Sequence, residues 1–271
     1  MMLCRLLACF AGAGDRILAT FGFGTRPMRA SLTLGIVMLH TRFPRPLGDI
    51  GNPASFNCPT LFETVPSATP GSVITPGNID PAVVSDMIAA ACRLVARGAT
   101  LITTSCGFVC SIHEQIAAAI EVPLVSSALN LTPVLAAERP GRPLLVLTFD
   151  GRVLSRKHFG RFWVDDLVIQ GIEQGSELYP VIKHDRLELD LERAYVDVLE
   201  AAAAALAQHP DCAAIVLECT NLPPYRQALM QRFGLPVFDV FSAIEHVVAE
   251  HFVLDAGIRV SPATYQTLQG A

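Results

Sequence analysis

The chain has 271 residues, 51% of them apolar and 17% charged, with a net charge of −5. This is length and apolar material for one or two packed cores, which excludes a disordered tail protein. The acidic balance and the single Trp163 exclude the basic, aromatic surface that nucleic acids need, and no run of about 18 apolar residues free of charges or Gly/Pro clusters marks a membrane span.

Residues 1–30 open with MMLCRLLACFAGAG, a short apolar stretch like a stunted signal peptide. They are read as a non-structural extension, with the folded part beginning near Met28. From residue 31 onward, short apolar runs alternate with helical patterns. The runs are 31–39, 99–105, 122–126, 142–149, 213–218 and 235–241. They read as continuous hydrophobes, as strands of a parallel sheet buried on both faces do. The first ends in His40-Thr41-Arg42, where Thr41 and Arg42 are candidates to face a ligand; an Arg suits a carboxylate by bidentate pairing. Asp49 and Asn52, in the Gly/Pro-rich loop that follows, are read as turn formers. Asp80-Pro81 opens a helix that Gly98 closes, with Val84, Met87, Ile88, Ala91, Leu94 and Val95 at helical spacing. A second long helix is expected from near Asp190 to about Gln208. The basic cluster Arg152, Arg156, Lys157, His158 and Arg161 reads as a solvated face.

The two halves repeat. Cys106 stands just after the run 99–105, and Pro123 follows 17 residues later; Cys219 stands just after the run 213–218, and Pro236 follows at the same distance. One shift of 113 residues carries each first-half landmark onto its second-half partner. A repeat of this length implies two similar domains rather than a solenoid. The expectation is therefore α/β, with two pseudo-symmetric domains at 31–140 and 141–271, each a mainly parallel sheet flanked by helices. The boundary falls in the Pro/Gly stretch 138–143, the ligand site lies in the cleft between the domains, and the C-terminal helix from about Ser242 is placed to pack back on the first domain.

Of the eight cysteines, only Cys106 and Cys219 occupy matched strand ends. Ligands of parallel sheets bind at such ends, and a following helix offers N–H groups that favour a carboxylate and lower a thiol's pKa. Gly107 lets a ligand approach the backbone closely, and Asn221 is read as an N-cap. No CxxC pair occurs, and Cys106, Cys110 and His113 make an incomplete ligand set, so no metal is expected. Two thiols facing one cleft suit inversion of a stereocentre: one removes an α-proton from one face, and the other returns a proton to the opposite face. Glu218 is read either as tuning Cys219 or as a solvated acid.

The stretches TTSCGF (103–108) and LECTNLPPY (217–225), with Pro236, Val237 and Asp239, resemble the aspartate/glutamate racemase superfamily, which includes hydantoin racemases. The resemblance covers residue 31 to about 250. It implies two catalytic cysteines, Cys106 and Cys219, and no cofactor. It also implies a carboxylate held by Thr220 and Asn221 in one half, and by Ser105 and the backbone of Gly107 and Phe108 in the other. Glutamate racemases carry Asn-Thr after the first cysteine, where this chain has Gly107-Phe108, and an Asp-Ser near the first strand end, where it has Leu39-His40-Thr41-Arg42. The function expected is a cytoplasmic, cofactor-independent racemase or epimerase of aspartate, glutamate, a hydantoin or a related small carboxylate, with no nucleic-acid or membrane partner; a homodimer is compatible with this reading. The alternatives are a decarboxylase or cis–trans isomerase of a small diacid, and a non-catalytic carboxylate-binding protein.

Overall fold

The computed structural model describes residues 31–252 and 260. The N-terminal extension lies outside the described residues. Two four-stranded, all-parallel sheets organise the rest. In the first, β1 (Leu34–Leu39) and β3 (Leu101–Thr104) are central, flanked by β2 (Thr60–Val65) and β4 (Leu124–Val125), in the order β2-β1-β3-β4. In the second, β5 (Leu144–Thr148) and β7 (Ala214–Leu217) are central, flanked by β6 (Leu167–Gly171) and β8 (Val237–Phe238), in the matching order β6-β5-β7-β8.

The central strands are buried along their whole length, which is why they read as unbroken hydrophobes. The edge strands β2 and β6 are half-buried, so TLFETV and LVIQG mix polar with apolar residues and carry no such signal. The run 235–241 proves to be two short elements. Only Val237 and Phe238 pair as strand, because Asp239 turns the chain by accepting from the Ser242 N–H at 2.9 Å and starts a helix.

Helices cover the sheets. In the first half lie α1 (Pro81–Ala96), α2 (His113–Ala117) and α3 (Thr132–Glu138). In the second lie α4 (Leu178–Lys183), α5 (Leu191–Gln208), α6 (Arg226–Phe233) and α7 (Val240–His251). Asp80 caps α1 by accepting from the Ala82 N–H at 2.8 Å, and Gly98 leaves it at φ +98°, a region that favours glycine. Asp190 caps α5 through the N–H groups of Glu192 and Arg193. Helix α7 packs on β4 and on the 128–131 turn of the first half as well as on β8, and Phe241 meets Phe56 with ring centroids 5.4 Å apart.

The basic cluster is more than a solvated face. His158 is buried, with its Nε2 3.0 Å from the Thr75 carbonyl, and Lys157 donates to the carbonyls of Pro76 and Gly77. These bonds tie the 152–161 segment to the first half, a partnership 81 residues away in sequence for Lys157 and Pro76. No helix among the described residues is long and apolar enough to cross a membrane.

Candidate active site

The C-terminal ends of β3 and β7 meet at one pocket between the sheets. It is lined by Cys106 and Cys219, by Thr41, Arg45, Ser105 and Glu218, and by apolar side chains that include Leu39, Phe43, Phe108 and Phe149. The repeat is visible in its backbone. The N–H of Ser105 donates to Val37 of β1 at 3.0 Å, and the N–H of Glu218, 113 residues later, donates to Leu147 of β5 at 2.9 Å. Each bond fixes the strand end one residue before its cysteine. The two ends are also stapled to each other, because the Thr220 hydroxyl donates to the Ser105 carbonyl at 2.6 Å.

Of the residues singled out from sequence, Thr41, Ser105, Cys106, Gly107, Phe108, Cys219, Thr220 and Asn221 line this pocket. Arg42 does not. It is two-thirds exposed, with its Nε 3.0 Å from Asp185 Oδ2. The other oxygen of Asp185 accepts from the N–H groups of Arg42 and Phe43, which turns the Arg42 side chain away from the thiols. The cation on the pocket wall is Arg45, only 12% exposed. Its Nη1 donates to Asp49 at 2.7 Å, its Nη2 donates to the Thr41 hydroxyl at 2.9 Å, and its guanidinium lies 4.6 Å from the centre of the Phe43 ring. Two of its five N–H donors are thereby engaged.

Asp49 does form a turn, accepting from the Gly51 N–H, but its other oxygen accepts from the Asn221 amide at 2.7 Å. Asn221 Oδ1 in turn receives the Cys219 thiol at 3.6 Å. A buried chain thus runs from Arg45 through Asp49 and Asn221 to the thiol, and it orients both the amide and the sulfur. Asn221 is accordingly not an N-cap: the 3-10 turn Pro223–Tyr225 begins without a side-chain cap, and the amide is committed to Asp49. Thr220 lines the pocket, but its hydroxyl is committed to Ser105.

Gly107 has a different reason from the one read in sequence. A Cβ there would stand 2.2 Å from both the Glu218 carbonyl oxygen and Glu218 Oε1. Glycine admits the opposing strand end rather than a ligand. Glu218 is fully buried; its Oε2 accepts from the Thr148 hydroxyl at 2.6 Å, and its Oε1 has no hydrogen-bond partner among the described residues. Burial pushes its carboxyl up to about 7.

The expectation of lowered thiol pKa values is overturned. Burial, reinforced by the neighbouring Glu218 charge, pushes Cys106 up to about 12 and Cys219 well above its ordinary value. The backbone N–H groups of Phe108 and Val109 pull Cys106 down and that of Asn221 pulls Cys219 down, but these effects are smaller. Both cysteines lead into 3-10 turns rather than directly into α-helices, so neither sits at a full helix N-terminus. The incomplete metal pattern also dissolves: Cys110 takes the Asn130 amide and faces the Phe159 carbonyl, while His113 Nδ1 pairs with Ser126 at 2.8 Å. Among the described residues no group of three or more His, Cys, Asp or Glu gathers to hold an ion.

A family model for Asp/Glu/Hydantoin racemases matches residues 60–246, which include both strand-end cysteines. The chain belongs to this family. A dimethylsulfoniopropionate lyase of Durusdinium sp. clade D is 27% identical over 239 residues, 83% of this chain and 77% of that one. The chain spans between 45% and 66% of the length of similar lyases from Emiliania huxleyi (strain CCMP1516). In structure it is similar to arylmalonate decarboxylase, with a TM-score of 0.53 at 15% identity over 85% of this chain and 96% of that one. It is also similar to glutamate racemase from Thermus thermophilus, with a TM-score of 0.52 at 16% identity over 84% and 85%. The two-sheet architecture is that of the racemase fold.

Proposed function

We propose that the protein is an enzyme that removes the proton α to a small carboxylate, with Cys106 and Cys219 as the acid–base pair. The observation that carries this reading is that the two repeat-equivalent thiols line one pocket. Arg45 and the Ser105 hydroxyl are the donors offered to the substrate carboxylate, which spreads the charge that develops when the α-carbon loses its proton. The Asp49–Asn221 chain holds Cys219 in place. The thiols are the only acid and base that the scheme requires.

The fate of the carbanion defines the reaction. Return of a proton from the second thiol to the opposite face gives racemisation or epimerisation of an amino acid, a hydantoin or a related compound, and this outcome uses both cysteines. A second reading is favoured by the similarity to dimethylsulfoniopropionate lyases. In it, one thiolate takes the α-proton, the C–H electron pair becomes the new C=C bond, and the β C–S bond breaks with its pair on sulfur. Dimethylsulfoniopropionate then yields acrylate and dimethyl sulfide.

One experiment separates the outcomes. The full chain is incubated in D2O with D- and L-amino acids, hydantoins and dimethylsulfoniopropionate, and α-deuterium, optical rotation and acrylate are followed. The expected result is α-exchange or acrylate on at least one substrate, with inversion lost by about 10²–10⁴-fold in both Cys106→Ser and Cys219→Ser and acrylate lost by as much in at least one of them. Exchange with inversion marks the racemase; acrylate marks the lyase. No exchange and no acrylate on any substrate, or a Cys→Ser variant with undiminished inversion, would sink the corresponding reading.

A further inference from the structure

Glu218 holds, in the second half, the place that Ser105 holds in the first. At that corner the first half needs only a hydroxyl, which the Leu39 N–H satisfies at 2.8 Å. The second half carries a carboxyl group instead, wholly buried, with Oε2 on Thr148, the Phe149 backbone N–H favouring its ionised form, and no hydrogen bond to Oε1 among the described residues. A buried carboxylate oxygen with no donor is costly in a fold. The fold also gives up a side chain at position 107 to make room for it. Glu218 is one of the residues of the pocket wall, beside both cysteines and Arg45.

We propose that Glu218 Oε1 receives the positive group of a small zwitterionic carboxylate, an ammonium or a sulfonium, while Arg45 takes its carboxylate; this rests on the α-proton reading above and names its substrate class. An ammonium fills the orphaned oxygen with a hydrogen bond. A sulfonium has no N–H and fills it by charge alone. The apolar walls given by Leu39, Phe43, Phe108 and Phe149 suit the methyl and methylene groups between or around the charges. A dicarboxylate instead brings a second negative charge to Glu218, so malonate- and maleate-type diacids are poor substrates. A cation beside Glu218 also favours its ionised form over the neutral one to which burial pushes it.

The test uses two unreactive probes of one shape, 3-(trimethylammonio)propanoate and 4,4-dimethylpentanoate, titrated calorimetrically into the full chain at pH 8. The wild type is expected to bind the cationic probe at least about tenfold more tightly. Glu218→Gln brings the two affinities to within about threefold, and Glu218→Asp restores the order of preference. Equal affinities in the wild type, no binding of either probe, or an undiminished preference in Glu218→Gln overturns the proposal. The wild-type comparison decides the matter even where a variant fails to fold. Neither probe needs proton transfer to bind. A cation preference with neither α-exchange nor acrylate therefore overturns the functional reading alone, and α-exchange or acrylate without a cation preference overturns this inference alone.

Discussion

Gly107→Ala tests the closest approach in the site. The added Cβ stands 2.2 Å from the Glu218 carbonyl oxygen, 2.2 Å from its Oε1 and 2.7 Å from its Cδ, where real Cβ atoms essentially never come within 3.0 Å. Contact must therefore be relieved by about 1 Å. The side-chain atoms can swing, but the carbonyl belongs to the strand end that carries Cys219. The backbone conformation of residue 107 is not in the left-handed region, so the penalty is steric alone. Overpacking of this kind costs about 1–3 kcal/mol, and a contact with backbone belongs at the upper end. For a chain of this size, about 2–3 kcal/mol lowers the melting temperature by roughly 5–10 °C. Circular dichroism melting of the full chain reads this directly. The double variant Gly107→Ala/Glu218→Ala removes the side-chain clashes and keeps the one with the carbonyl, so less than half of the loss should return. A shift of about 1 Å between the thiols should also cut α-exchange by about 10²-fold. A single variant melting within about 2 °C of the wild type refutes the reasoning.

Arg45→Met leaves Asp49, 1% exposed, without its cation, and should cost about 3 kcal/mol in urea unfolding and raise KM more than it lowers kcat. Asp185 sits at φ +50° and accepts from the N–H groups of Arg42 and Phe43. Asp185→Asn, which tolerates that backbone, should cost about 1 kcal/mol, and Asp185→Ala about 2 kcal/mol or more, again by urea unfolding. Two buried groups pull the pH profile of stability in opposite directions. Burial and the Arg161 charge lower His113 to about 4, so stability is full above the ordinary histidine value of 6.5 and is lost as pH falls toward 4. Burial raises Glu218 to about 7, so its contribution is full below the ordinary value of 4.5 and is lost as pH rises through 7. Each is worth up to roughly 3 kcal/mol, and between about pH 4.5 and 6.5 they offset one another. Glu218→Gln should therefore expose a fall toward acid and His113→Asn a fall toward neutral pH; a variant profile as flat as the wild type's across that window contradicts the assignment.

The parts of the fold that were legible in the sequence are those where one local rule decides. Strands β1, β3, β5 and β7 are buried on both faces, so composition alone marks them. Asp80 and Asp190 cap α1 and α5 within their own helices. Strands β2 and β6 escaped because an edge strand owes its identity to a neighbour, not to its own hydrophobicity. The same division runs through the site. The thiol pair was legible because the repeat prints it twice. Arg45 and the site role of Asp49 were not, because they are set by Asn221 lying 172 residues beyond Asp49; of the two readings of Glu218, the one that tunes Cys219 holds and the solvated one fails, but its closing on Gly107 was not legible. One signal was present. A charged residue directly behind the apolar run Ala214–Leu217, and one before a strand-end cysteine, is either solvated or buried for a purpose. Arg42 shows the opposite hazard: position after a strand end is not orientation, and Asp185 decides where that side chain goes.

Three acids share this pocket: Cys106, Cys219 and Glu218, with exposures of 7%, 7% and 0%. In so dry a place one negative charge raises the cost of the next, as the upward push of Glu218 on both thiols shows. Glu218, at about 7, gives up its proton before Cys106, at about 12. An ionised Glu218 alone therefore opposes the thiolate that α-proton abstraction requires. A substrate cation against Oε1 cancels that opposition and pulls the thiol values down, while Arg45 does the same for the charge developing on the carboxylate. Binding of a zwitterion and activation of the thiol are then coupled through a single carboxylate. The coupling explains why a site built for proton abstraction tolerates an acid beside its base, and it requires that neutral analogues such as 4,4-dimethylpentanoate, even when bound, leave the thiols slow to react with iodoacetamide while the cationic probe speeds alkylation of a thiol it leaves accessible.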